Sequence, residues 1–148
     1  MSLETSEKIL KVSGFLAITG GILAIIGGIM SMVMGGAATQ MPEVASNPEY
    51  QKGIVGLLLG GGAEAIGGII SLFEGGTSLS AAKDGKHATA AWVFALVGLI
   101  GSILRGLSYI LKKQLTQTIT ISIILAIVLS LIIFIAAGNV KRAYKENQ

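Results

Sequence analysis

Two charged residues stand inside stretches that are otherwise apolar, Glu64 and Arg105. A charge at the centre of a bilayer costs about 2.5–3.5 kcal/mol on insertion scales. Each therefore needs a counter-charge, water or, for the carboxyl, a proton. Three uses fit the pair. A buried ion pair, or a protonated carboxyl, would fix helix register. A proton relay or substrate contact would use the same groups functionally. Arg105 alone would snorkel to the headgroups. Little else in the chain spells chemistry. There is no Cys, which excludes disulfides, thiolate metal sites and Cys nucleophiles. The single His87 cannot build a ligand cluster. Gly60-Gly61-Gly62 lacks the Lys-Ser/Thr of a phosphate loop. The expectation is no catalytic residue, no metal site and no cofactor, hence no enzyme. Met30, Met32 and Met34 read as adaptable packing. Glu74, near Lys83, reads as a solvated end charge.

The elements that must position Glu64 and Arg105 are set by composition. Hydrophobic residues make up 52% of the 148 and charged residues 13%, where soluble domains carry about 25% charge. So few charges cannot cover a soluble surface of this size, which excludes a soluble enzyme domain, a disordered tail and a nucleic-acid binder. A stretch of about 20 apolar residues crosses a bilayer as a helix. Four such stretches are present: 12–34, 54–73, 89–111 and 118–137. The first exceeds the roughly 7–15 residues of a signal-peptide apolar region, and no A-x-A-like site follows it. It reads as a retained span. The sequence thus predicts one all-α domain over 1–148, a polytopic four-helix membrane bundle. Polar connections are expected at 35–53, 75–88 and 112–117, with a polar tail over 138–148.

Four spans put both termini and the second connection on one side. That side carries Lys8, Lys11, Lys83, Lys86, Lys141, Arg142 and Lys145; the other carries Lys52, Lys112 and Lys113. The positive-inside rule places the richer side in the cytoplasm, N-in and C-in, in a plasma or inner membrane. At 1.5 Å per residue, Glu64 then lies roughly 15 Å and Arg105 roughly 9 Å below the outer boundary. Helical side chains lean toward their own N-terminus, so the two lean toward each other. Trp92, Tyr109 and Tyr144 fall where interfacial anchors belong.

Small residues recur at steps of three and four on each of the first three spans. The first carries Gly14, Ala17, Gly21, Ala24, Gly28, Ser31 and Gly35. The second carries Gly53, Gly56, Gly60, Ala63, Gly67 and Ser71, and the third Ala88, Ala91, Ala95, Gly98 and Ser102. In lipid the hydrophobic gain between helices nearly vanishes, so close backbone approach and dispersion must hold them. Gly21, Gly28, Gly35, Gly60, Gly67 and Gly98 are the expected packing positions, and their period implies a left-handed supercoil. The fourth span, with the thinner stripe Ser122, Ala126 and Ser130, is expected to be the most lipid-exposed. The first two spans also share a pattern at an offset of 40: the pairs 20-21, 27-28 and 35-36 map onto 60-61, 67-68 and 75-76. Duplication and convergence on one packing solution both account for it.

From Gly53 to Ile110 a glycine-rich span, a short basic loop, the aromatic Trp92 and a G-x-x-S-I-L-x-G-like segment follow one another. This resembles the HdeD-like acid-resistance membrane proteins, which usually have six spans where this chain has four. The resemblance implies an envelope-stress setting and carries over no functional residue. The expected function is that of a non-enzymatic small membrane protein working through helix packing. It would be a homo-oligomer or a subunit of a membrane or envelope-stress assembly. Its partners would be the lipid bilayer and another membrane protein or a second copy, not nucleic acid. The alternative is a small transporter or channel whose pathway includes Glu64 and Arg105.

Overall fold

The structure, a computed structural model, describes residues 1–111 and 116–146, apart from the side chain of Ala45. Of the connection expected at 112–117, residues 112–115 lie outside the described residues. The chain runs through α1 (Leu3–Ala38), the short α2 (Pro42–Ala45), α3 (Pro48–Lys83), a 3-10 turn (Gly85–His87), α4 (Ala88–Leu111) and α5 (Gln117–Glu146). No strand occurs among the described residues. α1, α3, α4 with its preceding turn, and α5 are each long and apolar enough to cross a membrane. The protein is an all-α, multi-pass membrane protein.

Lipid requires every backbone group to be satisfied inside the segment, which overrides the glycines and β-branched residues within these helices. Polar side chains mark the starts. Ser2 Oγ accepts from the Thr5 N–H at 3.2 Å, and Asn47 Oδ1 accepts from Glu49 N–H at 2.9 Å, just before the helix-opening Pro48. Thr116 Oγ1 accepts from Ile119 N–H at 3.3 Å. Each satisfies one of the free donors of a first turn. The helices overrun the apolar windows. α3 continues to Lys83 and α5 to Glu146, so the expected polar connection after residue 75 and the expected polar tail are both largely helical. A 36-residue helix is about 54 Å long, against a hydrocarbon core of about 30 Å. Hydropathy marks where lipid ends; extending an existing helix into the headgroups needs only one more hydrogen bond per residue.

The chain forms two compact units, residues 20–69 and residues 1–19 with 70–148. In the first, the later part of α1 runs antiparallel to the early part of α3. A Cβ on Gly28 would strike the Gly61 carbonyl oxygen, and one on Gly61 would lie 2.5 Å from the Gly28 oxygen. A Cβ on Gly68 would lie 2.6 Å from the Gly21 oxygen, and one on Gly35 would meet Leu58 at 3.2 Å. Backbone touches backbone at these glycines, close enough for dispersion and weak Cα–H···O contacts to act. Large side chains point outward: Leu23, Leu59 and Ile66 are all exposed, as a lipid solvent allows.

The second unit is a four-helix bundle of the first part of α1, the last part of α3, α4 and α5. Its core is built mainly of alanines, Ala81, Ala88, Ala91, Ala95, Ala136 and Ala137, with Leu10, Ile133 and Val140. Gly75 meets α1 as the other glycines do, its Cβ position 2.5 Å from the Gly14 oxygen. Phe73 stacks on Phe94 with centroids 5.5 Å apart, and Trp92 lies 4.9 Å from Phe134. The buried hydroxyls of Ser13 and Ser78 donate to carbonyls one turn back on their own helices, at 2.6 Å each. α5 corrects an expectation. It is not the most exposed helix: 22% of its apolar window is buried, against 11% for α4. Its closing stretch, Ile133, Ala136, Ala137 and Val140, supplies the packing face that its greasy middle obscures.

Candidate functional site

The four-helix unit contains a buried carboxyl that its surroundings do not fully satisfy. Glu74 precedes Gly75 on α3. The contact of Gly75 with α1 fixes the rotation of α3, and one residue earlier, about 100° around the helix, the side chain turns toward α4 and α5. Glu74 is 3% exposed. Its Oε2 accepts from Ser130 Oγ on α5 at 3.3 Å, a long bond. Its Oε1 is buried with no hydrogen-bond partner. On α4, a Cβ at Gly98 would lie 2.7 Å from Oε2 and 3.0 Å from Ser130 Oγ. Gly98 is therefore the gap into which the carboxyl fits. Thr77 and Ser78 do not serve it; both hydroxyls donate to the Glu74 main-chain carbonyl, at 3.1 and 2.6 Å.

This overturns the reading of Glu74 as a solvated end charge. The apolar window closes at Phe73, so the sequence pattern placed Glu74 at a boundary, yet α3 runs on inside the bundle for nine residues more. A signal was present. Glu74 shares a helix face with Ser78 and Ala81, four and seven residues on, both buried.

The expected partners Glu64 and Arg105 belong to different units. Glu64 is half-buried and lies over Gly27 of α1, whose Cβ position is 3.7 Å from its Oε1. Arg105, also half-buried, places its guanidinium 5.8 Å from the ring centroid of Tyr109, one turn along α4. The ion pairs among the described residues lie near helix ends: Lys8 with Glu4 at 2.7 Å, and Asp84 with Lys86 at 2.8 Å and His87 at 4.0 Å. Asp84 also caps the 3-10 turn through the Lys86 N–H. The Lys86 ammonium and N–H hold the Asp84 carboxyl below the usual range. Of the aromatics expected at the interface, Trp92 carries Lys141 at 4.8 Å over its ring, and Tyr144 packs on Gly85.

The glycine positions divide. Gly21, Gly28 and Gly35 face α3 at close range, and Gly98 faces Glu74 and Ser130. Gly60 and Gly67, expected to pack, meet nothing within 4 Å; their neighbours Gly61 and Gly68 make the contacts. A shift of one residue turns a helix by about 100°. The correct register was hidden in the glycine pairs. Positions 21, 28 and 35, like 61, 68 and 75, are spaced by sevens, and only that choice of one member from each pair keeps a constant face. Among the described residues no group of His, Cys, Asp and Glu could hold a metal. No family model, curated protein or solved structure matches the chain.

Proposed function

We propose that the protein is a non-enzymatic membrane protein that works by helix packing, self-associating through the outer face of α3. One observation carries this. Gly53, Gly56, Gly60 and Gly67 all face open space. A helix-interior glycine costs about 1 kcal/mol relative to alanine. Gly28 and Gly61 offset that cost by close approach within the chain; these four do not. Small residues at such spacing are the usual surface for a second helix in lipid, and a second copy of the chain presents the same stripe. Both termini lie in the cytoplasm in this reading, on the seven-against-three distribution of cations.

The chain has no native cysteine, which makes cross-linking clean. Cysteine at Gly60 or Gly67 should give disulfide-linked dimers in membranes, and cysteine at the exposed Val12 should not. Gly60→Leu should abolish the dimer while the folded monomer survives, because the site has room. A chain that stays monomeric in bilayers, or a dimer indifferent to leucine at 60, overturns the proposal. Ion flux in proteoliposomes that Glu64→Gln removes would favour the rival transport reading. Impermeant thiol reagents report orientation: cysteine at Ser46 should react from outside and cysteine at His87 from the cytoplasm.

A further inference from the structure

Glu74 is a poor place for a negative charge and a good one for a neutral acid. A buried carboxylate needs donors on both oxygens, or a cation. Here Oε1 has none, and Oε2 has one hydroxyl at 3.3 Å. Among the described residues no ion pair involves it. On α4, Arg105 lies two turns beyond Gly98 and over Tyr109. On α5, Lys141 sits over Trp92. On α1, Lys8 pairs with exposed Glu4, and on α3 Lys83 is nine residues away at the helix end. The acid form removes the difficulty. A proton on Oε2 is shared with Ser130 Oγ, which then accepts, and Oε1 becomes a carbonyl-type oxygen that loses far less when left bare. The space between Glu74, Gly98 and Ser130 is already tight, which leaves the proton as the ligand that fits without moving a helix.

We propose that Glu74, with Ser130 and against Gly98, is a proton-binding site buried where α3, α4 and α5 meet. Release of the proton leaves an uncompensated carboxylate among packed helices. The bundle then has to admit water or part α4 from α3, so proton exchange and helix packing are linked at this point. This stands independently of self-association.

Infrared spectra of the full chain in lipid nanodiscs test it. A protonated-carboxyl C=O band should be present at neutral pH and fade on alkalinisation. Glu74→Gln should remove that band, and Glu64→Gln should keep it. The Gln variant mimics the neutral acid and should lose the fall in melting temperature that the natural chain shows as pH rises from neutral. Ser130→Ala should shift the frequency of the band without abolishing it. Absence of the band from the natural chain across mildly acidic and neutral pH overturns the proposal whether or not Glu74→Gln folds. So does a band that persists in Glu74→Gln or disappears in Glu64→Gln.

Discussion

The two units solve the same problem with different materials. Residues 20–69 hold two helices together by letting backbones touch at Gly21, Gly28, Gly61 and Gly68. They bury almost no side chain; Ile54 is the one buried large hydrophobic of that unit among the described residues. The four-helix unit fills its interior with alanine, serine and a few larger residues, and takes in a carboxyl as well. With only two helices there is no enclosed interior, so closeness is the only available stabilisation, and glycine supplies it. With four helices there is an interior, and side-chain volume and hydrogen bonding come to matter. An ionisable group can be hidden in the second and not in the first, where Glu64 remains half-exposed over Gly27.

Substitution of the contact glycines should break this contrast most sharply. Gly61→Ala places a Cβ 2.5 Å from a backbone oxygen that cannot swing away. It should cost about 1–3 kcal/mol, and Gly61→Leu more. Equilibrium unfolding in detergent measures this, and an alanine variant as stable as the natural chain would mean the backbones do not touch. In the other unit, Gly98→Ala meets side-chain oxygens at 2.7 and 3.0 Å, not backbone. Its cost should be smaller, about 1–2 kcal/mol, and Ser130→Ala combined with it should recover part of the loss by freeing space. A double-mutant cycle reads that coupling.

Smaller and opposite in sign is Gly60→Ala. Measured on monomers in detergent, it should stabilise by about 0.5–1 kcal/mol, because the methyl meets nothing and the helix propensity improves. The paired outcome, loss at 61 and gain at 60, is what separates the observed register from the neighbouring one.

The smallest effect belongs to the exposed turn. Asp84 titrates below its unfolded value because of Lys86. Its contribution is therefore present above the unfolded carboxyl range of about 3.9 and is lost as pH falls through the lower folded value. Hydrogen exchange at the Lys86 N–H should stay protected from neutral pH down to mild acid and lose protection only in stronger acid. Asp84→Asn should remove that acid dependence with little change in melting temperature.

Much was legible without the fold. Sparse charge and four apolar stretches determined an all-α membrane protein, because hydrocarbon tolerates no unsatisfied backbone. The stripe on α1 was legible too, since each glycine it names between 14 and 35 lies against α3. What the chain alone left open was rotation. α3 has glycines at 60 and 61 and again at 67 and 68, so two faces about 100° apart look equally suited to packing. Only contact with α1 selects 61, 68 and 75. The same selection decides the fate of Glu74. Hydropathy reports the average cost of a segment in lipid and places that residue at an edge. Which neighbours surround a side chain depends on how far each helix overruns the bilayer and which way it is turned. Both are settled by the helices of the bundle packing together, here Gly14 against Gly75 and Gly98 opening beside Ser130.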